Sequence, residues 1–203
     1  MKLKIFIAVA ILEVIAVAAD WTALQWVTKP LLAPLLIGYV AERNRLSAGL
    51  AFAFLGDVAL LLDGTPAFLA GMACFLGAQL CFLTAFLRRA RPRVAAFAAY
   101  AVLWAAVNAL LWSRLGTLRV PILIYSLALA AMAAAAVGVS RRTALGGALF
   151  LISDLMIGAG AAGLHVPASG VLIMTTYAAA LYLITTGFQT TTRKPDLAYA
   201  QSA

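Results

Sequence analysis

Long apolar runs, separated by short polar or turn-forming breaks, fill this chain from end to end. Eight stand out, at about 4–20, 27–41, 46–62, 67–87, 94–112, 120–139, 143–163 and 168–188. About 20 apolar residues suffice for a helix to cross a bilayer core of ~30 Å. The pattern therefore predicts an all-α fold, a polytopic membrane bundle of about eight transmembrane helices. One domain, 1–189, holds the helices, and a polar tail follows at 190–203. The second run is short and carries Lys29, Pro30 and Pro34, so a kink or an unwound start is expected there. Small residues at Ala128–Ala136, Gly146, Gly147, Gly158, Gly160 and Gly163 would let helix backbones approach closely.

Composition sharpens this picture. Of 203 residues 65% are hydrophobic and 11% charged, with a mean hydropathy of +1.02. Soluble domains are roughly half apolar and about a quarter charged, so this chain could not clothe a globule in polar surface. A net charge of +8 would point to nucleic acid in a soluble protein. Here the basic residues sit in the breaks, where they orient helices and can meet anionic lipid heads, and no nucleic-acid partner is expected. With eight spans, one side holds Lys2, Lys4, Arg43, Arg45, Arg88, Arg89, Arg91, Arg93, Arg141, Arg142, Arg193 and Lys194, and the other only Lys29, Arg114 and Arg119. Positive residues stay inside, so both termini are expected in the cytoplasm and His165 outside. Abundant Ala and an excess of Arg over Lys suggest a bacterial cytoplasmic membrane. The first run resembles a signal peptide, but Glu13 within it argues for a retained helix. Cys74 and Cys81 lie two turns apart on one helix, beyond disulfide reach.

Charges inside apolar runs change the question from fold to chemistry. An intramembrane acid is costly, so each is a functional candidate. Glu13, Asp57 and Asp154 qualify, with Lys29 as their basic partner. At 1.5 Å per residue, Asp57 and Asp154 each lie ~18 Å from the nearest basic residues and Lys29 ~21 Å, one shared level toward the outer side; Glu13 lies at ~14 Å. Two carboxyls in a low-dielectric site resist ionising together. One can then hold a proton while the other ionises, steadied by Lys29, which suits a general acid and an anionic stabiliser. A structural polar cluster or a proton relay for transport would use the same residues. Gln79, Asn108, Tyr125, Ser153 and Tyr177 could line the same cavity or simply bond helix to helix. There is no metal-ligand spacing, no phosphate loop and no nucleophile elbow, so a Ser-His-Asp hydrolase is not expected.

The segments KPLLAPLL (29–36), FLGDVALLL (54–62), FLAGMACFLGAQLCFLTAF (68–86), FLISDLMIGAG (150–160) and TYAAALYLI (176–184) resemble, in this order, the YhhN-like lysoplasmalogenases. The resemblance implies an eight-helix enzyme that cleaves the vinyl ether of lysoplasmalogens to a fatty aldehyde and a glycerophospho head group. It carries over Lys29, Gly56, Asp57, Ser153, Asp154 and Tyr177. Gln79 stands where the family usually has His, and Leu181 where it usually has a polar residue. The implied chemistry is protonation of the alkene by one Asp while the other, as catalytic partner, stabilises the cation and activates water, without a cofactor. The same acids could start a terpene cyclisation by protonating an alkene or epoxide, or serve a proton-coupled transporter. The expected partner is accordingly a lipid or a prenylated small molecule within the bilayer.

Overall fold

The computed structural model describes residues 1–40, 44–164 and 166–200, with only the backbone of 191–200. Arg43 and His165, used above to orient the chain, lie outside the described residues, as do the side chains of Arg193 and Lys194. Each apolar run becomes one helix: α1 Lys2–Ala18, α2 Thr22–Val40, α3 Arg45–Ala59, α4 Thr65–Arg89, α5 Val94–Leu111, α6 Arg119–Val139, α7 Arg141–Ala161 and α8 Ser169–Ala200. A single 3-10 turn, Gly116–Leu118, joins α5 to α6, and no strand occurs among the described residues. Six helices, α2 and α4 to α8, are long and apolar enough to cross a membrane. α1 and α3, of 17 and 15 residues, rise about 25 and 22 Å. The chain is an integral membrane protein of all-α fold.

α2 departs from the expected unwound start. It begins at Thr22, ahead of Lys29, and runs on with Pro30 and Pro34 inside it. Each proline lacks an N–H, so the carbonyls of Trp26 and Pro30 lose their usual donors. The flanking residues keep their own bonds, and no bulk water competes for them within a bilayer. Other helix ends have local causes. At α3 the Asn44 side chain accepts from Ser47 N while Ser47 Oγ accepts from Asn44 N, a reciprocal cap. At α7 Leu164 N donates to Ala159 O and Gly163 N to Gly160 O, both at 2.9 Å. That Schellman stop needs the left-handed φ of +76° that Gly163 adopts.

The helices close into a ring. α1 packs on α2, α2 on α3, α3 on α4, α4 on α6, α6 on α7, α7 on α8, and α8 back on α1. α5 rests against α6 and buries only Asn108. Two bundle ends follow. At one, Lys2 Nζ donates to Gly38 O, and a Cβ at Gly138 would lie 2.9 Å from Arg91 O. At the other, Leu115, Ile122 and Ala162 form a small cluster with Met72 and Leu111.

Glycine sets the closest approaches. A Cβ at Gly147 would meet Ala133 and Ala136 of α6 at 3.0–3.1 Å. One at Gly146 would sit 2.8 Å from Ile184 N and 3.0 Å from Ala180 O of α8. Those atoms are backbone and cannot rotate away. Gly146→Ala should therefore push α7 from α8 and destabilise the bundle by about 1–3 kcal/mol, read as a lowered unfolding midpoint of purified protein in detergent. Gly158 and Gly160 do not pack as expected: a Cβ at either would meet nothing within 4 Å. α7 faces open space there.

Candidate active site

Asp57 sits in the last turn of α3 and is 1% exposed. Gly56 beside it lets the Phe75 ring of α4 press on the α3 backbone; a Cβ there would lie 2.6 Å from that ring. Tyr177 of α8 donates its hydroxyl to Asp57 Oδ2 at 2.7 Å. The Tyr177 ring is held edge-on by Phe75 and Phe150, with centroids 5.8 and 5.7 Å away. Lys29 and Glu13 lie within electrostatic range of Asp57. Glu13 is itself buried and accepts a hydrogen bond from Thr28. α1, α2, α3 and α8 thus assemble one polar group around Asp57.

Asp154 belongs to a second group, one turn beyond Phe150 on α7. Tyr125 of α6 donates to its Oδ2, and Gln79 of α4 donates to the same atom at 3.4 Å. Oδ1 takes no protein donor among the described residues, and it is not sealed from open space. Gln79 is fully buried, and its Oε1 has no partner among the described residues. A buried acceptor left open costs free energy.

Asp154 and Tyr125 stand in the wall of a partly open cavity of about 100 Å³ bounded by α4 to α7 and the end of α3. Its lining is almost wholly apolar and includes Phe68, Met72, Trp104, Leu111 and Gly158. The open side of α7 at Gly158 is part of this space. Opposite lies a small polar wall: Asn108 Nδ2 donates to Ser126 Oγ at 3.2 Å and to Trp104 O at 2.9 Å, and Trp104 Nε1 donates to Ser126 Oγ at 3.1 Å.

The residues singled out in the sequence thus fall into three places. Asp154, Tyr125 and Asn108 line the cavity, with Gln79 bonded behind Asp154. Asp57, Tyr177 and Glu13 form the neighbouring buried group, with Lys29 half-buried beside it; Asp57 and Asp154 are within electrostatic reach of each other, but Asp57 is not a cavity-lining residue. Ser153 faces away and donates to Ile173 O of α8 at 3.1 Å, which fixes the rotation of α7 and so the aim of Asp154. Thr28, Trp104 and Ser126 were not anticipated. Thr28 precedes Lys29 in an apolar run, and Trp104 lies one turn before Asn108, which were the available signals. Among the described residues no group of three or more His, Cys, Asp or Glu could hold a metal ion.

The family model of the YhhN family matches residues 24–188, which spans both polar groups except Glu13. The chain is 40% identical over 172 residues to proteins named lysoplasmalogenase in Mycobacterium bovis and Mycobacterium tuberculosis. That likeness covers 78% of this chain and 66% of each relative, just under two thirds of their length. No solved structure matches.

Proposed function

The chain belongs to the YhhN family, and on that premise we propose that it is a membrane-embedded hydrolase that cleaves the vinyl ether bond of lysoplasmalogens. One observation carries the reading: a single carboxyl, Asp154, stands in the wall of a predominantly apolar cavity with one oxygen bonded and the other open. An alkenyl chain fits apolar walls, and the reaction needs one proton donor within reach. Asp154 Oδ1 gives its proton to the alkene carbon distal to the ether oxygen, leaving an oxocarbenium ion. Water adds to that cation and returns a proton to Asp154. The hemiacetal then collapses to a fatty aldehyde and a glycerophospho alcohol. Gln79 and Tyr125, both donating to Asp154 Oδ2, leave Oδ1 as the oxygen that meets the alkene and the water. Asp57 contributes negative charge behind Tyr177, worth more in a dry interior than in water. The 40% identity to two lysoplasmalogenases supports the substrate class.

A second reading keeps one observation of its own. Phe68, Phe75 and Trp104 line the cavity, and aromatic faces stabilise cations, as a terpene cyclase requires. The proposal also places the protein in a bacterial cytoplasmic membrane with both termini inside. Purified protein incubated with lysoplasmalogen and, separately, with prenylated alkenes and epoxides tests the choice. Aldehyde and head group should form in equal amounts and the prenylated compounds should survive. Intact lysoplasmalogen beside a rearranged prenyl product would transfer the proposal to the cyclase.

A further inference from the structure

The two polar groups and the cavity share a property that the reaction alone does not require: all lie in the same half of the bundle. On α7, Asp154 is 13 residues beyond Arg141 and seven short of Ala161, so ~20 Å from one helix end and ~10 Å from the other. Lys29 is seven residues from Thr22 at the start of α2, ~10 Å from that same bundle end. Glu13 is five residues short of Ala18 and Asp57 two short of Ala59, ~8 and ~3 Å from it. The cavity follows suit. Leu60, Phe68, Leu111, Ile122 and Gly158 line it; Leu60 lies at the start of the α3–α4 connection, and the others in the half of their helix nearest the α3–α4, α5–α6 or α7–α8 connection. Arg88, Arg89, Arg91 and Arg93 cluster at the opposite end, between α4 and α5.

Resting on the vinyl ether reading, we infer that the enzyme draws its substrate from one leaflet only, the one at the α3–α4, α5–α6 and α7–α8 end, as a single-chain phospholipid standing with its head group at that surface. The argument is one of depth. In such a lipid the vinyl ether lies one glycerol below the phosphate. A head group at the near surface therefore brings the alkene to about the level of Asp154. A lipid from the Arg88–Arg93 side would have to carry its phosphate most of the ~20 Å to Asp154 through hydrocarbon, and an unpaired ion there is strongly disfavoured. Arg119 stands at the favoured end, its guanidinium 5.6 Å over the Trp112 ring and its Nε donating to Trp112 O at 2.8 Å. The remaining guanidinium N–H groups suit a phosphate. Leu115, Ile122 and Ala162 pack together at that end of the bundle, so the path for a lipid is sideways. It runs beside α5, which rests on α6 and lines the cavity with Trp104, Val107 and Leu111. If the basic loops are cytoplasmic, the leaflet served is the outer one.

The test uses the full chain in sealed vesicles. Asp63→Cys, in the exposed α3–α4 turn, reports orientation through an impermeant maleimide, with the unsubstituted chain as background because Cys74 and Cys81 lie within α4. Several preparations of different orientation receive 1-alkenyl lysophosphocholine in the outer leaflet, and the initial rate of aldehyde release is followed before and after detergent. The rate before detergent should rise in proportion to the maleimide-reactive fraction, and detergent should bring every preparation to the same rate. A rate that follows the unreactive fraction, or ignores orientation, overturns the inference while leaving the hydrolase reading intact. An absence of cleavage even in detergent removes the hydrolase reading and this inference with it.

Discussion

Asp154→Asn should lower aldehyde release from lysoplasmalogen by about 100- to 10,000-fold, the range that a positioned proton donor supplies. Asn keeps the size of Asp and leaves a carbonyl oxygen to accept from Tyr125 and Gln79, the two donors that hold Asp154. What it lacks is the proton. The loss should therefore fall on kcat, while the unfolding midpoint in detergent shifts by only a few degrees. Tyr125 and Gln79 are donors to this carboxyl, not substitutes for it, so no neighbour rescues the variant. A well-folded, fully active Asp154→Asn protein would remove the acid from the mechanism.

The second large effect is at Asp57. It touches no cavity wall, and its partner Tyr177 stands between α3 and the aromatic packing at Phe75 and Phe150. On the proposed mechanism its contribution is a charge felt at a distance, so Asp57→Asn should reduce turnover strongly. Its loss should be not additive with that of Asp154→Asn, because a cation that is never formed needs no stabilisation. The double variant should be little worse than Asp154→Asn alone, measured as kcat for all three proteins. Multiplying losses would mean that the two carboxyls act independently. A drop in stability of several kcal/mol for Asp57→Asn, with kcat preserved in the surviving fold, would make the Asp57 group structural.

Much of this was legible along the chain. The eight helices follow from apolar runs interrupted by charge, since lipid tolerates helices and little else. The acids drew attention because nothing apolar explains them. Three things were not legible. α4 turns from its sequence neighbour α5 to pack on α6, and a run apolar on every face does not announce which side meets protein and which meets lipid. For the same reason the sequence put Asp57 and Asp154 at one depth without distinguishing the sealed carboxyl from the one that meets open space. Glycines read alike as letters, yet Gly146 and Gly147 seat neighbouring backbones while Gly158 widens a cavity. Only the rotation of α7, fixed in part by the Ser153 bond to Ile173, separates those roles.

The central claim is that a carboxyl protonates the alkene carbon and water captures the resulting cation. It is tested most directly by mass spectrometry of products formed in deuterated, 18O-labelled water, with the aldehyde reduced at once to its alcohol. The account predicts one deuterium on the carbon next to the former carbonyl, and a glycerophospho product that keeps its original oxygen. Label in the glycerol oxygen, or an aldehyde free of carbon-bound deuterium, would contradict it.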